Sequence, residues 1–250
     1  MTSLSSIVKG AAMAPPRVLL YGPAGVGKTT FGASAPSPIF IQTEDGADVV
    51  GADRFPLAET YADVENAIGT LAKENHAYAT VVVDSLDWLE TLIWQRVCQV
   101  HKIQSIEELG YGKGYVFALD IWRSFLDGLN FLRTQKQMAV IMLAHSHIKR
   151  FEDPASEGYD RYEIKLHRKA GDVVSEAADL IGFATYRTST KTIDKGFGQK
   201  KSIPLGTGER VLRTSELPAF VAKSRYNIPA ELPLSWDALI TAITGKKEAA

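Results

Sequence analysis

The chain has one cysteine, Cys98, among 250 residues, which excludes an intrachain disulfide and suits a reducing compartment. Cys98 sits in an apolar, helix-like stretch and reads as an inert core thiol. Long apolar runs are also missing. The longest, such as Val140 to Ala144, are strand-sized, so no membrane span is expected. Met1 to Pro16 lacks the basic-then-apolar order of a secretory signal, which makes the cytoplasm the expected location. No repeat or low-complexity tract occurs. A strong net charge is lacking too: the total is −1. That total conceals an asymmetry. Residues 1–148 hold 11 Lys/Arg against 15 Asp/Glu, whereas residues 149–225 hold 15 against 11. The later excess of positive charge suits a polyanion-binding face or ordinary surface variation.

What is present is a 45% hydrophobic chain long enough to bury a substantial core in one domain. Residues 1–16 read as a flexible or oligomerisation arm ending in Pro15-Pro16, and residues 17–245 as a single domain. Apolar, β-branched runs at Arg17 to Tyr21, Pro38 to Thr43, Thr80 to Asp84 and Met138 to Ala144 predict buried strands. Helical spacing appears over Tyr61 to Asn75, Leu86 to His101 and Val116 to Gln135, with a Gly/Tyr-rich loop at Leu109 to Tyr115. This alternation predicts an α/β fold, a mainly parallel sheet flanked by helices. Further on, Arg161 to Leu166, Leu180 to Tyr186 and Ala219 to Ser224 read as strands. Ala170 to Ala178 and Trp236 to Ile243 read as helices, and residues 187–213 as antiparallel hairpins.

Gly22-Pro23-Ala24-Gly25-Val26-Gly27-Lys28-Thr29 fits G-x-x-x-x-G-K-[ST], a pattern that chance produces in roughly one chain of this size in a hundred. An apolar strand precedes it and a helix beginning near Lys28 follows, as phosphate binding requires. The glycines let backbone N–H groups face the phosphates, with Thr30 continuing the binding segment. Lys28 is the candidate to bridge β- and γ-phosphates. Thr29 and Asp84, at the tip of Val81-Val82-Val83, are the candidate Mg²⁺-side groups. ATP with Mg²⁺ is the expected cofactor pair. Glu44, just past the strand Ile39 to Gln42, is placed to orient and deprotonate a water, or is a solvated loop acid. Ser85 reads as a helix cap. His145, after the fourth strand, is placed to touch the γ-phosphate.

The order of these parts resembles the RecA/DnaB superfamily of ATPases: the phosphate loop, Phe40-Ile41-Gln42-Thr43-Glu44, Val81-Val82-Val83-Asp84-Ser85, and a polar sensor after the next strand. The resemblance implies a RecA-like P-loop core and a catalytic role for Glu44. His145 departs from the Gln of RecA. With the Tyr-Gly-Lys-Gly-Tyr loop, it looks more like the phage-encoded RecA-like ATPases of the single-strand annealing (Sak) group. Ala222-Lys223-Ser224-Arg225 resembles the Lys-x-Arg of DnaB-type rings, which implies that Lys223 and Arg225 reach a neighbouring subunit's γ-phosphate. The family also implies a homo-oligomer, ring or filament, in the cytoplasm of a bacterial host, with recombination or replication proteins as partners. Single-stranded DNA would be met by loops after the sensor: Lys149, Arg150, Arg161, Tyr162, Lys165, Arg168 and Lys169. A second basic stretch comprises Lys191, Lys195, Lys200 and Lys201. The function implied is ATP hydrolysis on single-stranded DNA in recombination or annealing. A helicase-type motor and a nucleotide-gated adaptor for a protein partner stand as alternatives.

Overall fold

A computed structural model describes residues 14–46, 50–152, 157–194 and 200–245, with the backbone alone for 188–194 and 200–207. Residues 1–13 of the expected arm, and Lys195 of the second basic stretch, lie outside the described residues.

The chain runs β1 (Arg17–Gly22), α1 (Lys28–Ala33), β2 (Pro38–Gln42), β3 (Asp53–Arg54), α2 (Tyr61–Lys73), β4 (Thr80–Asp84), α3 (Leu86–His101) and α4 (Lys113–Gln135). It continues with β5 (Ala139–Phe151), β6 (Tyr159–Ile164), α5 (Arg168–Ala177), β7 (Leu180–Asp194), β8 (Lys200–Arg213), β9 (Lys223–Ser224), β10 (Glu231–Pro233) and α6 (Trp236–Thr244). The strands order as β10-β8-β7-β1-β5-β4-β2-β3, with β6 on β5 and β9 on β7. From β7 to β3 every pairing is parallel, while β8 and β10 add an antiparallel flank. This is the α/β architecture expected, with the antiparallel hairpin at its C-terminal side.

Strand alternation divides the core between two faces. Leu19 and Tyr21 of β1, Val81 and Val83 of β4, and Val140 and Met142 of β5 pack under α2, α3, α4 and α5. Val18, Leu20, Val82, Ile141 and Leu143 face α1 and α6, where Phe31 meets Trp236 edge-on at 5.9 Å. Both faces of β1 and β4 are buried, which explains their unbroken apolar sequence.

Several boundaries differ from the sequence reading. The fourth strand does not stop at Ala144: β5 runs on through His145 to Phe151, leaving β1 and β4 behind and pairing antiparallel with β6. Its second half, His145 to Phe151, is mostly polar and no longer buried, a pattern that reads as loop when only buried runs are sought. Among the described residues of 187–213, β7 and β8 form one long antiparallel pair rather than several hairpins. The strand expected over Ala219 to Ser224 shrinks to β9, Lys223–Ser224. The Gly/Tyr-rich loop is partly helical, since α4 begins at Lys113 and includes Tyr115, whose ring stacks on His167 at 4.2 Å. The two- and three-residue strands β3 and β10 are too short to leave a periodic signal.

At the starting ends of β1 and β7 the chain is tied by one carboxylate. Asp179, 5% exposed, meets Arg17 at 3.1 Å, Arg133 at 3.2 Å and Arg225 at 3.0 Å. Burial alone would raise its pKa, but hydrogen bonds and charge from Arg17, with Arg133 adding to them, hold it below the ordinary aspartate value. A depressed folded-state pKa contributes stability above the unfolded value of about 3.9, and that contribution is lost as pH falls through the folded value. Asp179→Ala leaves three arginines facing one another. It is expected to destabilise the fold by about 3 kcal/mol at pH 7, measured by urea unfolding, with the difference from wild type shrinking below pH 4.

Candidate nucleotide site

β1 ends at Gly22, beside β7. A Cβ at Gly22 would overlap the Ala184 carbonyl, so only glycine lets the two strands sit this close at the loop's entry. The chain then curls back through Gly27, whose φ of +103° belongs to the left-handed region, and enters α1. Val26 turns its side chain into the core, while Gly25, Gly27, Lys28, Thr29 and Thr30 line a cleft of about 340 Å³ with Ala24. The Lys28 ammonium, 6% exposed, donates to the carbonyls of Gly22 and Pro23, both at 3.1 Å. Burial lowers its pKa, and the charge of Asp84 opposes that shift.

Asp84 closes the cleft from the tip of β4. Its carboxylate accepts from the Thr29 hydroxyl at 2.8 Å. Burial pushes its pKa up; the Thr29 hydrogen bond opposes this and the nearby Glu44 charge adds to it. A hydroxyl and a carboxylate are hard oxygen donors of the kind Mg²⁺ accepts. Among the described residues no three His, Cys, Asp or Glu side chains cluster as a metal cage. Thr29 and Asp84 therefore suit a Mg²⁺ ion whose remaining ligands come from a nucleotide and water, rather than a metal bound by protein alone.

Glu44 is fixed by the residue before it. The buried Thr43 hydroxyl donates to the Ser85 carbonyl at 2.6 Å and accepts from the Ser85 N–H at 2.9 Å, while the Thr43 N–H donates to the Asp84 carbonyl at 2.8 Å. These bonds lock the tip of β2 to the tip of β4. Ser85 stands at the N-cap position of α3 but makes no side-chain cap. Its hydroxyl donates to Glu44 Oε2 at 3.0 Å, so the expected cap is a carboxylate-holding residue instead.

His145 lies 3.8 Å from Glu44, and its Nδ1–H donates to Asp87 at 3.0 Å. The His145 backbone N–H donates to the same carboxylate at 3.1 Å. Burial works against ionised Asp87, yet these hydrogen bonds hold its pKa at about 2. With Nδ1 committed, Nε2 is the ring nitrogen left for a ligand in the cleft. Lys28, Thr29, Glu44, Asp84 and His145 all line this one cleft.

The other candidates are placed differently. Lys223 and Arg225 do share a face, but β9 pairs with the start of β7, at the end of the sheet away from the phosphate loop. Lys223 donates to the Ser175 and Ala178 carbonyls at the end of α5, and Arg225 to Asp179 and the Glu176 carbonyl. Within the single chain both groups hold β9 against the end of α5, because alternation sets a face and not what the face meets. On the β5–β6 ribbon, Lys149 pairs with Glu163 and Arg150 with Glu152 and Asp160. Arg161 bonds Glu163 and lies 4.1 Å over the Phe151 ring, and Lys165 faces Asp87 at 3.7 Å. Tyr162, still exposed, stacks on Phe183 at 5.1 Å, which commits one ring face to the protein core. Arg168 and Lys169 are exposed on the first turn of α5.

Residues 14–226 match the AAA domain family. The chain belongs to that family. In this AAA-domain protein the phosphate loop, the Thr29–Asp84 pair and the carboxylate of Glu44 line one cleft. The chain is also similar to the SPbeta prophage-derived uncharacterized protein YorG of Bacillus subtilis (strain 168), at 23% identity over 137 residues, 52% of this chain. That match spans 40% of the relative's own length. Among solved structures it is similar to the crystal structure of the RadB recombinase, at 16% identity with 88% of each chain covered and a TM-score of 0.48. No helix among the described residues is long and apolar enough to cross a membrane.

Three parts of the AAA-domain site escaped sequence reasoning: Thr43, Asp87 and Arg210. Asp87 carried a signal, since it lies two residues after Ser85 in the first turn of α3 and shares a helix face with Glu90. Glu90, 6% exposed, accepts from the His167 N–H at 2.9 Å and so anchors the start of α5. Burial raises its pKa to about 7, against the opposing His167 hydrogen bond. The folded state thus binds the proton more tightly than the unfolded chain. Stability associated with Glu90 falls as pH rises from about 4.3 to 7. Glu90→Gln keeps the acceptor without the charge, so it is expected to raise the melting temperature at pH 8 and to change it little at pH 5.

Proposed function

We propose that this protein is an ATP-hydrolysing, RecA-like P-loop protein that acts on single-stranded DNA in recombination or annealing. The reading is carried by one observation: Glu44 is held by Ser85 just past the tip of β2, in the same cleft that Lys28 and the Thr29–Asp84 pair line. In the reaction proposed, the loop amides and Lys28 bind the phosphate chain. Thr29 and Asp84 would hold Mg²⁺, which would supply charge neutralisation. Glu44 accepts a proton from the attacking water, and the new bond forms between that water's oxygen and the γ-phosphorus as the β–γ bridge breaks toward ADP. His145, oriented by its hydrogen bonds to Asp87, contacts the γ-phosphate and passes its position along β5 to the ribbon. The prophage relative supports a phage setting, in a bacterial cytoplasm. The Sak-type resemblance rests on His145 and the segment Tyr111 to Tyr115.

An oligomer, ring or filament, is part of this proposal. An arginine that serves a neighbour must lie away from its own phosphate loop, as Arg225 does, and it would have to leave Asp179 to act. A second reading, a nucleotide-gated adaptor with a protein partner, is favoured by the ribbon's ion pairs, which neutralise much of its positive charge internally.

Lys28→Ala is expected to abolish nucleotide binding. Glu44→Gln is expected to bind ATP but to lose roughly 10²- to 10⁴-fold in turnover, by steady-state phosphate release. Wild-type turnover by Glu44→Gln refutes its assignment as the base.

Single-stranded DNA is expected to stimulate hydrolysis tenfold or more. Four phosphate contacts imply a salt slope near −2.8, hence about 50-fold weaker binding between 50 and 200 mM salt. No binding at low salt, with or without ATP, favours the adaptor.

A further inference from the structure

The phosphate loop is approached from a side that the sequence motifs do not mark. β8 runs antiparallel to β7, with Arg213 opposite Phe183, Leu212 opposite Ala184 and Arg210 opposite Tyr186. Leu212 and Ala184 are buried on the sheet face that carries α1. Two residues earlier on β8, alternation returns to that face beyond the end of the core. The residue there is Arg210, and it lines the same cleft as Lys28, Thr29, Glu44, Asp84 and His145. Its Nη1 lies 2.9 Å from where a Gly27 Cβ would stand. The guanidinium therefore rests directly on the loop backbone, and any side chain at Gly27 would displace it.

Charge pairing sets Arg210 apart from its neighbours. Arg187 and Arg213, on the same hairpin, are both bound by Glu231, and Arg187 also by Glu209. Among the described residues no carboxylate meets Arg210, although it is exposed at the rim of a site containing two. Its backbone is fixed, since the Arg210 carbonyl accepts from the Leu234 N–H at 3.1 Å. Its cross-strand partner, Tyr186, donates from its hydroxyl to the Gly25 carbonyl at 3.4 Å. Two side chains of one hairpin thus reach the loop at Gly25 and Gly27.

We propose that Arg210 is a second phosphate-binding cation, supplied by the same chain, which grips the diphosphate part of the nucleotide from the side opposite Lys28. Lys28 is a buried point charge beneath the loop. Arg210 is a planar, forked donor at the rim, suited to bidentate contact with phosphate oxygens. Its nearest loop neighbour, Gly27, precedes Lys28, so the contact falls on phosphates that ADP and ATP share. The β7–β8 hairpin then closes on the nucleotide at its root.

The inference rests on the nucleotide-binding reading, and titration with fluorescent ADP and ATP separates the two. If wild-type protein binds neither nucleotide, that reading fails. With wild type binding, Arg210→Ala is expected to weaken ADP and ATP alike by about 10- to 100-fold, and Arg210→Lys by less. The ADP-induced rise in melting temperature should shrink in Arg210→Ala, while the nucleotide-free melting temperature stays that of wild type, which shows the fold intact. ADP and ATP affinities within twofold of wild type for Arg210→Ala overturn the proposal. So does a loss confined to turnover with unchanged affinity, which would place the guanidinium on the transferring phosphate instead.

Discussion

The site depends on the shared register of four parallel strands. Gly22 stands level with His145, Asp84 with Leu143, and Gln42 with Asp84. Because these strands end at nearly one line, the residues that follow them all arrive at a single cleft. The register is fixed by burial on both faces: a one-residue slip of β4 would exchange Val82 with its neighbours between the α1 side and the α3 side. Thus the apolar sequence of the strand interiors, which has no chemical role, determines where Lys28, Glu44, Asp84 and His145 meet.

Within that frame, polar groups make fine adjustments that strand pairing does not. Thr43 and Ser85 exchange hydrogen bonds across the β2 and β4 tips, and Ser85 then holds Glu44. Asp87 performs the same service for His145. Each candidate catalytic side chain thus has a neighbour that restricts its rotamers before any ligand arrives, which lowers the entropy lost on ordering the site. At the other end of the sheet, Asp179 gathers Arg17, Arg133 and Arg225 and keeps β1, α4, β7 and β9 in step.

The elements legible in the sequence were those whose information is local. A strand, a glycine-rich turn and a helix in succession give Gly22 to Thr29, and Val81-Val82-Val83-Asp84 gives the acid that meets Thr29. Glu44 was reached by its place after an apolar strand. Arg210 was not legible, because its position over the loop depends on β8 folding back along β7, a pairing between residues far apart in sequence. Lys223 and Arg225 show the converse. Their alternation was read correctly, but which carbonyls and carboxylate they would find depended on how α5 packs. His145 was placed after a strand because the buried run ends at Ala144; the strand itself continues where one face turns to solvent.

That continuity has a mechanical meaning. A single extended segment passes from the nucleotide cleft at His145 to the ribbon at Lys149 and Arg150, with its β6 pairing unbroken from Ser146 to Phe151. There is no joint in it to absorb a displacement. At about 3.3 Å per residue, Phe151 stands roughly 20 Å along this paired segment from His145, so the cleft and the ribbon's far end are joined by one continuous stretch of backbone.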